Sequence, residues 1–135
     1  DAQQSEHPLD RLSQVAEVDE LRAAQQGLRD VYVDPLVKEY IVALVQATRT
    51  YPDVYLGASP RGSLGLYRGG QALAASQGRD FVTPDDVKAL AEVVLAHRII
   101  ISPSARIRNV DTRNVVQQVL ESVTVPGTRV QRTRR

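Results

Sequence analysis

The sequence contains no cysteine, no methionine and no tryptophan, and its 135 residues include only one phenylalanine and five tyrosines. Without cysteine there are no disulfides, no thiol nucleophile and no thiolate zinc site, in keeping with a reducing compartment. The scarcity of aromatics leaves Leu, Val, Ile and Ala to build the core, which favours helices packed closely through small side chains. No apolar run approaches the roughly 20 residues needed to span a bilayer, and no basic-then-apolar signal segment opens the chain. The expected location is therefore the cytoplasm, with no membrane partner. Excess charge is missing too: 17 Lys and Arg face 16 Asp and Glu, for a net charge of +1. That balance gives no overall attraction to a polyanion, so nucleic-acid binding is disfavoured and would have to rest on a local patch. With no initiator methionine and a polar start from Asp1 to Glu6, the sequence is expected to be excised from a longer polypeptide.

What is present is helical. Pro8 and the edge Leu9, Leu12 and Val15 predict a single helical turn. Val18, Leu21, Ala24 and Leu28 then recur at helical spacing opposite Glu20, Arg22, Gln25 and Gln26. Asp34-Pro35 supplies a capping acceptor followed by proline at the first helical position, and Leu36, Val37, Tyr40, Ile41, Leu44 and Val45 form a broad stripe that runs to about Thr48. Ser59-Pro60 and Thr83-Pro84-Asp85-Asp86 repeat that start, and in both the serine or threonine hydroxyl is the expected cap. The helix after Ser59 carries Gly62, Gly65, Gly69 and Gly70, although each interior glycine costs about 1 kcal/mol relative to alanine. Something must therefore press closely on it. Gly78 is its expected C-terminal cap.

Asp53 to Ala58 reads as a connector. Ile99-Ile100-Ile101 is β-prone, and the stretch to Arg108 reads as extended or a small hairpin. Asp111 or Thr112 caps a last helix with Val115, Val116, Val119, Leu120 and Val123 on one face. Beyond Pro126-Gly127, the arginines Arg129, Arg132, Arg134 and Arg135 form a basic tail, expected to be disordered. The predicted fold is all-α, a bundle of about five helices with one short hairpin or extended segment near residues 99–108.

Candidate chemistry is sparse. His7 and His97 are far apart and unsupported by cysteine, so they read as surface and helix-end residues, not as metal ligands. Gly57-Ala58-Ser59-Pro60-Arg61-Gly62 approaches a nucleophile elbow, but Arg61 stands where that motif needs glycine. There is no G-x-x-x-x-G-K-[ST] loop and no apolar strand ending in paired acids, so the chain alone is not a nucleotidase of that class. Arg61 falls in the first turn of a helix, where a cation opposes the helix dipole by about 0.3–1 kcal/mol. An external anion would reverse that sign.

Several separated segments match one family in order. They are Tyr40-Ile41-Val42, Ala47-Thr48-Arg49, the Gly57 to Gly62 segment, Gly78 to Val87 and Leu95-Ala96-His97-Arg98. Together they resemble the lid subdomain of MoxR-family AAA+ ATPases over roughly residues 7–101. The resemblance implies that Ser59, Pro60 and Arg61 open the second-sensor helix, residues 59–78, with Arg61 reaching the γ-phosphate of ATP as the catalytic arginine. It implies an ATPase core in the same polypeptide that holds the Mg²⁺, a homo-oligomeric ring, a chaperone-like assembly role and, as a candidate partner, a von Willebrand A-domain protein. The expected division is a connecting tail over 1–16, the lid over 17–101, a linker and extra helix over 102–125, and the basic tail over 126–135. Arg49, Arg79 and Arg98 read as solvated or structural ion-pair residues, and Tyr40, Ile41 and Tyr67 as core in preference to an adenine platform, although one residue could do both. The competing reading is a helical adaptor module in which Arg61 has no role.

Overall fold

The structure, a computed structural model, describes residues 11–127. Helix α1 (Val18–Gly27) starts with a capping box in which the Glu20 carboxylate accepts the Glu17 N–H at 2.8 Å. After a 3₁₀ turn (Leu28–Asp30), Asp34 Oδ1 accepts the Leu36 N–H at 2.8 Å and opens α2 (Pro35–Thr50). Strand β1 (Val54–Leu56), α3 (Pro60–Ser76), α4 (Pro84–Leu95) with a 3₁₀ turn (Ala96–Arg98), β2 (Ile100–Ile101), α5 (Pro103–Ile107) and α6 (Thr112–Ser122) complete the chain order. Proline occupies the start of α2, α3, α4 and α5, where the missing N–H has no intrahelical partner to lose.

Two expectations are corrected. The extended segment is confined to Ile100–Ile101, and it pairs antiparallel with β1, inside the stretch read as a plain connector. Ala105 to Ile107 is helical, not extended: Ser102 Oγ accepts the Ala105 N–H at 3.2 Å, and Pro103 follows the cap as it does at the other starts. With the short α5 counted, the described residues hold six α-helices and one two-stranded sheet, the small helical bundle with one short extended segment that the sequence predicts.

The core joins Leu44 and Val45 of α2, Leu66 of α3, Val87, Ala91 and Leu95 of α4, and Val115, Val116 and Val119 of α6, all buried. Each large member contributes about 1.5–3 kcal/mol relative to exposure. Gly62, Gly65 and Gly69 of α3 face α4, where a Cβ at Gly65 would lie 2.9 Å from Val94 Cγ1 and one at Gly69 3.1 Å from Leu90 Cδ1, and a Cβ at Gly70 would lie 3.0 Å from Val82 Cγ1, in the turn before α4. α3 ends at Ser76 with Gln77 at the C-cap, and the φ of +72° at the following Gly78 lets the Arg79 N–H reach back to the Ala74 carbonyl at 2.9 Å.

The turn into α4 is tied electrostatically. Arg79 makes a two-pronged pair with Asp86, at 2.6 Å (Nη2 to Oδ1) and 2.9 Å (Nη1 to Oδ2), and Asp86 also accepts the Thr83 N–H at 2.8 Å and the Thr83 hydroxyl at 2.9 Å. Burial opposes the Asp86 carboxylate, but the hydrogen bonds from Arg79 and Thr83 outweigh it and hold the carboxyl below its ordinary value.

α1 has the expected helical spacing but no buried residue; Val18 is 63% and Leu21 59% exposed. Leu12 and Val15 are exposed and not helical, and Leu9 lies outside the described residues. The arginine tail also lies outside them.

Candidate functional site

The site is assembled where the C-terminal end of α2 meets the turn before α3. Thr48 is fully buried; its hydroxyl donates to the Val45 carbonyl at 2.7 Å and accepts the Ala58 N–H at 3.0 Å. One residue on, Arg49 Nε donates to the Ala58 carbonyl at 2.8 Å. Adjacent residues of α2 therefore hold both backbone groups of Ala58, which is itself buried. The approach is close enough to require glycine beside it, since a Cβ on Gly57 would sit 2.7 Å from the N and Cα of Arg49.

This clamp fixes where α3 begins. Ser59 occupies the N-cap position, but its hydroxyl makes no cap hydrogen bond, contrary to the expected role. The Ser59 carbonyl instead accepts the Gly62 N–H at 2.7 Å, a tight first turn that satisfies the backbone without the side chain. Pro60 is the first helical residue and Arg61 the second, exposed to solvent.

Ser59, Pro60 and Arg61 line an open cleft of about 660 Å³ together with Arg49, Arg98, Tyr55 and Leu56. Arg98 reaches the cleft from the 3₁₀ turn that follows α4, and its Nε donates to the Val94 carbonyl at 3.0 Å. Among the described residues none of Arg49, Arg61 and Arg98 forms an ion pair, and no carboxylate lines the cleft. Three guanidinium groups beside a helix N-terminus suit an anion with several oxygens, because each guanidinium offers paired donors that match phosphate geometry. No group of three or more His, Asp or Glu among the described residues could hold a metal ion. A recess of about 710 Å³ between α1 and α3, lined by Gln25, Leu28, Arg29, Tyr67, Arg68 and Gln71, is larger but lies away from the Ser59 turn. Its one buried polar side chain is already committed, with Gln71 Nε2 donating to the Val31 carbonyl at 2.9 Å.

Arg79 is the structural ion-pair residue that its sequence context indicated. Arg49 is neither merely solvated nor ion-paired; it positions Ala58. Charge type alone does not distinguish these roles, since both depend on which carbonyl lies within reach. Tyr40 and Ile41 are buried in the core, and the half-buried Tyr67 packs against it.

The sequence model of the AAA lid domain family matches residues 46–119, from the end of α2 through most of α6. The chain belongs to this family. The lid is similar to the uncharacterised protein YeaC of Bacillus subtilis, 38% identical over 124 residues, covering 92% of this chain and 39% of that protein. It is similar to chaperone MoxR1 of Mycobacterium tuberculosis, 31% identical over 122 residues, covering 84% of this chain and 32% of that protein. Protein MoxR of Methylorubrum extorquens is 29% identical over 140 residues, with 89% and 41% covered. Among solved structures, a candidate ATPase from Cytophaga hutchinsonii matches with a TM-score of 0.76 at 29% identity, over 79% of this chain and 35% of that one. The lid thus spans 32–41% of the length of these curated relatives. It is a lid of the MoxR type, as the separated motifs indicated.

Proposed function

We propose that this lid reads the nucleotide state of a MoxR-type AAA+ ATPase, with Arg61 meeting the γ-phosphate of ATP. The observation that carries the proposal is an exposed arginine without an ion pair, in the first turn of a helix whose start is clamped by Thr48 and Arg49. The donor set fits ATP: three arginines and no carboxylate line the cleft. Bound there, ATP would supply a phosphoryl group whose negative charge shifts as it is transferred or lost.

Arg61 would neutralise that charge through its paired N–H donors, and Ser59 and Pro60 would set the helix start beside the nucleotide. Because Arg61 is rigidly joined to α3, and α3 to α4 through the glycine contacts, loss of the phosphate contact would be felt by the whole bundle. The Mg²⁺ ligands, the phosphate-binding loop and the catalytic machinery belong in this reading to an ATPase core in the same polypeptide. Residues 1–16 would connect to that core, 17–101 form the lid, 102–125 a linker and extra helix, and 126–135 a basic tail. The complete protein would be a cytoplasmic, ring-forming chaperone-like factor, with a von Willebrand A-domain protein as a candidate partner.

The exposed apolar residues of α1 favour a second reading, a helical adaptor without a nucleotide role. Steady-state turnover of the complete polypeptide separates the two. Arg61→Ala is expected to lower ATP turnover at least tenfold, about 1.4 kcal/mol of lost transition-state stabilisation. Unchanged turnover would support the adaptor.

A further inference from the structure

Arg22 meets Asp19, Arg79 meets Asp86, Arg108 meets Asp53 and Arg113 meets Glu92. Among the described residues Arg98 meets no carboxylate, although it is half-buried and therefore less well served by water than an exposed arginine. A guanidinium has five N–H donors. In Arg98, Nε donates to the Val94 carbonyl at 3.0 Å, and among the described residues its two Nη groups meet no acceptor. The same cleft holds Arg49, fixed through its own Nε to Ala58, and Arg61. Like charges gathered in this way repel, and the repulsion becomes attraction once an anion lies among them.

We infer that Arg98 is a second phosphate-binding residue, holding the same polyphosphate chain as Arg61 in the cleft they both line; this rests on the nucleotide-sensing reading of the lid. The two arginines come from different elements, Arg61 from the first turn of α3 and Arg98 from the turn after α4. An anion held by both ties the start of one helix to the end of the next. The Nε bond to Val94 fixes the guanidinium in advance, so little side-chain freedom is lost when the anion arrives. Arg49 has a different part: its bond to Ala58 positions the turn that presents Arg61.

The test is calorimetric titration of the complete polypeptide, wild type and Arg98→Ala, with ATP, inorganic tripolyphosphate and adenosine. Arg98→Gln, which keeps an amide N–H to donate to the Val94 carbonyl, replaces the alanine variant should that one fail to fold. Affinity for both ATP and tripolyphosphate is expected to fall at least fivefold while adenosine binds as in the wild type. ATP affinity equal to the wild type's overturns the assignment, and so does an equal loss for ATP and adenosine, which marks a purely structural role. Arg61→Ala is carried in parallel. If its turnover is unchanged, the nucleotide-sensing reading fails as a whole; if its turnover falls while Arg98→Ala binds ATP normally, only the Arg98 assignment falls.

Discussion

Asp86→Ala is expected to lower the unfolding free energy by about 3 kcal/mol, because it leaves a paired arginine without its partner and removes the acidic half of the α4 capping box. The Asp86 side chain is only 6% exposed and Arg79 24%, so water replaces the lost contacts poorly. Urea unfolding should show a lower midpoint with an unchanged slope. The same carboxylate predicts a pH dependence. Its folded-state pKa lies below the ordinary 3.8, so the folded protein holds the proton less tightly than the unfolded chain does. The pair's contribution is therefore complete above about pH 5 and is lost as pH falls through 3.8 toward the depressed folded value. Asp86→Ala should flatten that part of the stability profile, and an equally steep acid limb in the variant would contradict the assignment.

Gly57→Ala is the second large effect. The added methyl would lie 2.7 Å from backbone atoms of Arg49, which cannot swing aside as a side-chain end can. The turn must move away from α2, and the two hydrogen bonds to Ala58, at 3.0 Å from its N–H and 2.8 Å from its carbonyl, must stretch with it. Overpacking and loss of these bonds together are expected to cost about 3 kcal/mol. Urea unfolding reads the stability. Turnover of the complete polypeptide reads whether the displaced turn carries Arg61 with it, and loss of activity beyond that explained by unfolding is the expected result. Stability within about 0.5 kcal/mol of wild type would show that the clamp is not rigid.

Much of the fold was legible because its signals are local. Asp34, Thr83 and Asp111 cap the helices their positions announced, and the glycines of α3 implied a close neighbour that proved to be α4. The missed elements depend on distant partners or on a pattern shorter than the period that reveals it. Ile100–Ile101 finds its pair in Val54–Leu56, and neither strand is long enough to show an alternation. α5 spans only Pro103–Ile107, too few residues for an apolar stripe, and its Ser102-Pro103 start was the only sign of it. At the site, resemblance singled out Ser59, Pro60 and Arg61, and the structure places them on one cleft. Thr48, Arg49, Gly57 and Arg98 acquire their meaning only from contacts: a hydroxyl serving one amide, a guanidinium meeting one carbonyl, a missing Cβ and a shared cavity. The Ser59 hydroxyl shows the reverse case, a strong capping signal that the local geometry leaves unused.

The central claim is that the lid distinguishes nucleotides by their terminal phosphate through Arg61. The most direct measurement is the ratio of ATP to ADP affinity in the complete polypeptide, wild type against Arg61→Ala, at fixed salt. The account predicts that the substitution reduces the preference for ATP about tenfold, equivalent to about 1.4 kcal/mol, with ADP affinity changed far less. An ATP to ADP ratio equal to the wild type's would contradict it.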